Sequence, residues 1–564
     1  MKKITSFFLI ISLLLLPCQT AGAWSSFRNE EGQSQANTID AKTPTDTRTS
    51  GPKWKKTLSS ELSTSLNSTP IITENYIFIV NGSTLYKLDK EGTTLATLSL
   101  LTSMNSVCQM ALHDNKLFIP LSGGLMQCID TDTMSSLWYS ETFGNQSLTT
   151  VYFHNGFVYA GTSNGNGTDG LYYCLRETDG HTVWTYQNEG TPGGFYWSGA
   201  VSAETPSAEC LLFGGDNGIL VSHSLTEDVI YDTFDLSDIT GSKGKIRGGI
   251  TYDRDTDAYY TTSNNGYLYK ITMNTEGCFD TVTPLFLGDS SSSAINCTST
   301  PTIYNGRIYV CSYFGTSGRI SVIDAVSMKM IYYATGETVK DIKSSPLVST
   351  GYATEENNQK VYVYFTQNIS PGGIYYIEDD TLADSAEIKT LYEPQNNPQF
   401  CLSSIAADTD GTLYYSNDSG TLFAVREGYA GNDVREPEQP DSPSAPPESP
   451  APSQPETLTS TPVPPIVTSK TSSKTNQIIR PGKPTKIKVS VRRKTNKTYK
   501  VTLSWKKGKN AKKTLIKIRG KKVKPLSGRK KTIRLKKGNY TLRFYGYNSS
   551  SNQSAAVKIR LKLK

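Results

Sequence analysis

Between Gly51 and Gly428 the chain repeats one pattern eight times, strand, tight turn, strand, and this repetition limits the fold more than any single motif does. The copies are YIFIV with STLYKLD, KLFIPLS with GLMQCID, FVYAGTS with GLYYCLR, CLLFGGD with GILVSHS, AYYTTSN with GYLYKIT, RIYVCSY with GRISVID, VYVYFTQ with GIYYIED, and TLYYSND with GTLFAVR. The residue opening the later strand falls at Ser83, Gly124, Gly170, Gly218, Gly266, Gly318, Gly373 and Gly420, so successive units are 41, 46, 48, 48, 52, 55 and 47 residues apart. Repeats of that length, arrayed radially, predict an eight-bladed β-propeller. Asn155-Gly156, Asn305-Gly306 and Asp410-Gly411 fall between first and second strands, where a hairpin needs residues that tolerate positive φ.

Most units end in a fourth strand with an aromatic anchor, as in SSLWYSE around Trp138, HTVWTYQ around Trp184 and KMIYYAT around Tyr332. The eighth unit stops at Val425 without one, whereas PKWKKTL around Trp54 carries the anchor pattern with no strands of its own unit before it. Residues 52–58 are therefore expected to supply the outer strand of the last blade and so remove the open edges of the ring.

Charge divides the chain. Residues 469–564 hold 32 of the 58 Lys and Arg and no Asp or Glu, which leaves 26 basic residues against all 51 acidic ones in the rest. A body of charge −25 is thus joined to a tail of +32, and eleven of the 27 prolines lie between them in 437–465. Such a segment packs no core and reads as an extended spacer. The predicted organisation is a signal peptide over 1–23, an N-terminal segment over 24–51, the propeller over 52–430, a Pro/Ser/Glu-rich linker over 431–468 and a small basic β-sandwich over 469–564. The signal is read from Lys2 and Lys3, the apolar run Ile4 to Leu16 and the small residues Ala21-Gly22-Ala23, and it predicts export. Cys18 follows Leu15-Leu16-Pro17, a poor context for lipidation, and no later segment is apolar enough over about 18 residues to cross a bilayer.

YYCLRETDGHTVWTY (172–186) resembles the repeat of quinoprotein-type propellers, with an apolar strand, a small residue at Cys174, a TDG turn and a docking indole at Trp184. WSSFRNEEGQS (24–34), followed by PKWKK, is similar to the opening of the non-enzymatic pyrroloquinoline-quinone-like members. That resemblance implies a cofactor-free binding or scaffold platform, or, less often, a quinone-dependent dehydrogenase. The enzymes are marked by adjacent cysteines beside the quinone, an acidic and amide set for Ca²⁺ and, in some, a CxxCH haem site. Here the cysteines stand at 108, 128, 174, 210, 278, 297, 311 and 401, none adjacent and none at haem spacing, so no cofactor and no enzymatic activity is expected. Most lie within strands and read as small buried hydrophobes.

Other chemistry finds little support. Asp253, Asp255 and Asp257 resemble the start of a calcium loop, but Ala258 and Asn264 stand where Gly and Glu are required, and the run falls at a first hairpin turn; no metal site is expected. With four histidines and no GxSxG, HExxH or phosphate loop, a hydrolase is not indicated. Aligning the inner strands on Pro70, Pro301 and Pro346 places Asn67, Val107, Leu148, Trp197, Arg247, Thr298, Lys343 and Leu402 at one level of the channel mouth. Among them Trp197, Arg247 and Lys343 form the candidate ligand site, an indole face and two cations suited to an anionic sugar or similar ligand. The alternative is a solvated rim with one aromatic packed under a loop.

In the tail TKIKVSV, YKVTLSW, TLIKIRG, KTIRLKK, NYTLRFYGY and AAVKIRLKL alternate apolar with basic or polar residues, the pattern of strands that bury one face. The closing GNYTLRFYGYNSSSNQSAAVKIRLKL resembles the final hairpin of bacterial immunoglobulin-like or fibronectin-type domains, with Tyr540 at a tyrosine-corner position. Arg492, Arg493, Lys506, Lys507, Lys521, Lys522, Arg529, Lys530, Lys531, Lys536 and Lys537 are the candidate polyanion-binding residues. The functional expectation is a secreted, extracellular or wall-associated binding protein. Its basic domain would attach to an anionic cell-wall polymer or acidic polysaccharide, and its propeller would recognise a protein or glycan. Scaffolding of envelope protein assembly is the alternative.

Overall fold

The computed structural model describes residues 37–430 apart from 59–65, 165–168, 188–192, 289–294, 316 and 338, and residues 483–563 apart from 494–497, 508, 519–520, 527, 537, 550–551 and 554–556. The signal peptide with Cys18, the first part of the N-terminal segment, the proline-rich linker and the side chain of Tyr540 lie outside the described residues. The chain divides into two compact units, Met1–Glu438 and Gln439–Lys564. Among the described residues no helix is long and apolar enough to cross a membrane.

Eight sheets make up the first unit among the described residues, five of four strands and three of five, each built around antiparallel strands adjacent in the chain. The third shows the plan, with Tyr152–His154, Phe157–Ser163, Leu171–Arg176 and Thr182–Gln187 paired in chain order. Its two middle strands are buried almost throughout, as FVYAGTS and LYYCLR require when sheets pack face to face on both sides. The apolar clusters accordingly run between neighbouring sheets, for example Tyr159, Tyr172 and Trp184 of the third with Leu211, Phe213 and Val221 of the fourth.

The eighth sheet is completed from the N-terminal side. Ser50–Thr57 pairs antiparallel with Thr421–Glu427, outside Leu413–Ser416 and Ala406–Ala407. Trp54 then stands opposite Ala424, as Trp138 stands opposite Cys128 and Trp184 opposite Cys174. The small partner leaves room for an indole laid across the strand. A β-bulge accompanies each of these three pairs and turns the outer strand toward the next sheet. Trp138 Nε1 donates to the Glu177 carbonyl at 2.8 Å, Trp184 Nε1 to that of Leu225 at 2.9 Å and Trp54 Nε1 to that of Lys90 at 2.9 Å. Gly180, at φ +68°, lies so close under Trp138 that a Cβ there would meet the ring at 2.4 Å.

Upstream of that strand, residues 37–46 form a strap along the seventh and eighth sheets. Thr38–Ile39 pairs parallel with Leu347–Ser349. The hydroxyls of Tyr352, Tyr364 and Tyr376 donate to the carbonyls of Thr43, Pro44 and Thr45 at 2.9, 2.7 and 2.7 Å. Gly351 and Gly411 make way for it, since a Cβ at either would lie within 2.3 Å of the strap backbone.

The second unit contains a three-stranded sheet, ordered Thr485–Arg493, Thr498–Lys506, Lys530–Lys536, and a second sheet built on Lys521–Leu526, Lys513–Ile518, Gly538–Ser549 and Val557–Leu563. Tyr499, Val501, Leu503 and Trp505 from the first pack with Ile516, Leu542, Phe544 and Leu563 from the second, which makes the unit a β-sandwich with one core. Lys521–Leu526 is a strand that alternation does not reveal. KKVKPL has three lysines and a proline, which is tolerated because the strand pairs on one side only.

Candidate functional site

The eight positions aligned at the channel mouth, from Asn67 to Leu402, line one cavity, each contributed by a different repeat. Beside them, residues two places further along the chain form hydrogen bonds that link six of the eight repeats in two runs. The Thr69 amide donates to Gln109 Oε1 at 2.8 Å, Gly249 to Thr300 Oγ1 at 2.8 Å, Thr300 to Ser345 Oγ at 3.0 Å and Ser345 to Ser404 Oγ at 2.9 Å. Each bond joins successive repeats and satisfies a backbone donor that the narrow inner strand leaves unpaired. Gly199 and Gly249 belong to the same level, where a Cβ on the former would press on the latter's Cα at 3.2 Å. Sequence reasoning passed over these bonds, although their signal is present in NSTP, LTTV, TSTP, KSSP and LSSI, which carry a pair of small or hydroxyl residues at one register.

Trp197, Arg247 and Lys343 all reach the cavity. Trp197 has φ +61°, a left-handed conformation costly for a bulky residue, and is held there by its amide bond to the Leu148 carbonyl at 2.9 Å. Its ring lies 5.0 Å from that of Tyr196, and its Nε1 is buried with no acceptor. The two cations are not free charges. Arg247 grips the fully buried Asp216 through Nε at 3.1 Å and Nη2 at 2.9 Å, Lys245 stands 3.5 Å from the same carboxylate, and the guanidinium lies 4.4 Å over the Tyr196 ring. Lys343 pairs with Asp341 at 2.9 Å and lies 5.4 Å from the Tyr313 ring centre. Burial, the largest influence on each, raises the Tyr196 and Tyr313 hydroxyls above their ordinary pKa. With each cation paired locally, the mouth presents an indole, two paired cations and a set of hydroxyl and amide groups. Asp216 and Asp341 were not singled out from the sequence, because they act on the mouth only through Arg247 and Lys343.

The DxDxD run is a hairpin turn. Asp253 pairs with Ala258 across it, and Asp253 Oδ2 accepts from the Thr256 amide at 3.2 Å and hydroxyl at 2.5 Å. Among the described residues no three His, Cys, Asp or Glu side chains come together to hold a metal ion. Among the described residues no two cysteines form a disulfide, all are buried except the half-buried Cys278, and burial pushes the Cys108 and Cys128 thiols up to about 12. Both cations at the mouth are tied to carboxylates and no cysteine lines it, so these residues do not fit a quinone with its calcium.

Residues 81–227 match the family model described as outer membrane protein assembly factor BamB, the PQQ_2 family. The fold is similar to quinohemoprotein alcohol dehydrogenases of Pseudomonas putida HK5, with TM-score 0.53 and 12% identity over 76% of this chain and 83% of that one, and of Comamonas testosteroni, with TM-score 0.54 and 12% identity over 74% and 82%. The first unit is a β-propeller. BamB of Moraxella catarrhalis also matches this propeller, at TM-score 0.46 and 13% identity over 68% of this chain and 99% of that one. No curated protein matches the chain. The likeness to the two dehydrogenases describes the fold alone.

In the second unit the candidate polyanion-binding residues are spread over both sheets. Arg492 and Arg493 lie in Thr485–Arg493, Lys506 ends Thr498–Lys506, Lys530, Lys531 and Lys536 lie in Lys530–Lys536, and Arg529 precedes that strand. Lys521 and Lys522 open the edge strand of the other sheet, and Lys507 Nζ donates to the Lys512 carbonyl at 2.9 Å. Arg492, Lys506, Arg529 and Lys530 are exposed, whereas Lys537 lies outside the described residues.

Proposed function

We propose that this chain is a secreted binding protein of the cell surface, with the basic sandwich attaching it to an anionic envelope polymer and the propeller presenting a recognition surface. The observation that carries the reading is the charge of the tail, 32 cations without one carboxylate in residues 469–564. In a folded sandwich that charge cannot be paired internally and is balanced by counterions, whose release drives association with a polyanion. Binding rather than catalysis is the role that the mouth supports, since its charged groups are committed to one another. A second reading, scaffolding of envelope protein assembly, is favoured by the family match over residues 81–227.

The test is retention of the full chain, and of the chain ending at Glu438, on purified cell wall with and without its anionic polymers, across a salt titration. Retention of the full chain alone, lost on stripping the polymers or raising salt, is expected. Equal retention of the shortened chain would move the attachment to the propeller.

A further inference from the structure

The three-stranded sheet of the second unit sets its outward residues in register. Tyr499, Val501, Leu503 and Trp505 point into the core, so Lys500, Thr502 and Ser504 between them face solvent. Arg492 and Arg534 are the partners of Lys500, Ser490 and Thr532 those of Thr502, and Lys488 and Lys530 those of Ser504. The result is a grid of nine side chains, exposed or half-buried, in which two cationic rows flank a row of hydroxyls. Thr502 Oγ1 and Thr532 Oγ1 are 3.2 Å apart, and Ser490 Oγ donates to the Thr502 carbonyl at 3.5 Å. By strand geometry neighbouring rows are about 7 Å apart and the two cationic rows about 14 Å.

Three cations directly opposite one another on adjacent strands destabilise the sheet that carries them. No carboxylate in residues 469–564 relieves them. The face also lacks an aromatic platform, because Tyr499, Trp505 and Phe544 are all in the core, so it is poorly suited to stacking the bases of a single-stranded nucleic acid. Its alternation calls for an occupant with charge, then hydroxyls, then charge.

We propose that this face binds a linear polyol phosphate polymer, with phosphates on the Arg492–Lys500–Arg534 row and on Lys488 and Lys530, and polyol hydroxyls against Ser490, Thr502 and Thr532. The inference rests on the polyanion reading above and gives it a place and a ligand class. Arginine forks match phosphate oxygens, and a phosphodiester keeps its charge throughout the pH range in which proteins fold.

The full chain is titrated with poly(glycerol phosphate), alongside a triple variant on the face, Arg492→Ser, Lys500→Thr and Arg534→Thr, and a triple variant off it, Lys483→Ser, Lys509→Ser and Lys513→Ser. Affinity of the face variant is expected to fall about tenfold or more, and the slope of log K against log salt to become shallower by roughly 2. Its melting temperature should hold or rise as repulsion is removed, while the other variant binds within about threefold of the parent. Equal losses in the two variants would overturn the face and leave the polyanion reading standing. Failure of the parent to bind poly(glycerol phosphate) while it binds polyphosphate or polygalacturonate would overturn the ligand class alone, and failure to bind any of the three would overturn both. Inorganic polyphosphate or polygalacturonate binding as tightly at matched charge would overturn the ligand class.

Discussion

At the residue scale the recurrent device is a ring or hydroxyl that leaves its own sheet and closes on the next. Glu177 shows how much one such position holds. Its carbonyl receives Trp138 Nε1, and its carboxylate accepts from Lys116 Nζ at 2.9 Å and contacts His113 Nδ1 at 3.1 Å. Burial pushes its carboxyl upward, but the hydrogen bonds from Lys116 and His113 outweigh that and hold it below its ordinary value of 4.5. A carboxyl whose pKa is lower in the folded state stabilises fully above its ordinary pKa and loses that contribution as pH falls through the folded value. Glu177→Gln should therefore cost about 1 kcal/mol near neutral pH, and the deficit should close as pH falls below about 4.5. Thermal melts of parent and variant at pH 7 and pH 3.5 check this, and a deficit independent of pH would contradict it. The docking indoles were readable because Trp138 and Trp184 recur at one place in the repeat. Asp216 was not, because nothing local in GGDNG says that its carboxylate neutralises Arg247, 31 residues on, and Asp341 was not, because its pairing with Lys343 two places away matters only once Lys343 is known to reach the mouth.

At the scale of the element, the decisive strand is Ser50–Thr57. It pairs with Thr421–Glu427 across more than 360 residues, with Trp54 buried against the turn that carries Gly92. Replacing Trp54 by Ala removes a buried indole and its hydrogen bond to Lys90, and should destabilise the propeller by about 3 kcal/mol. Chemical denaturation of the chain ending at Glu438 measures it, and a loss below about 0.5 kcal/mol would mean that the ring does not depend on this closure. The closing strand was legible because the eighth unit lacks an anchor and PKWKK has a surplus one. The strap over 37–46 was not, since it is fixed by single hydroxyls of Tyr352, Tyr364 and Tyr376, in a chain with 33 tyrosines that read from sequence as core. Lys521–Leu526 escaped notice for the opposite reason, as an edge strand needs no apolar alternation.

For the whole molecule, charge and composition agree on a division of labour. The propeller unit carries the acidic excess and a mouth whose cations are already paired. The sandwich carries cations that nothing within residues 469–564 can pair. On the reading proposed above, the second unit holds the protein to an anionic surface and the first does not. Fractionation of the native host producing either the full chain or the chain ending at Glu438 tests it most directly. The full chain is expected in the wall fraction, released by about 1 M salt, and the shortened chain in the medium. Finding both chains in the same fraction, with the same response to salt, would contradict it.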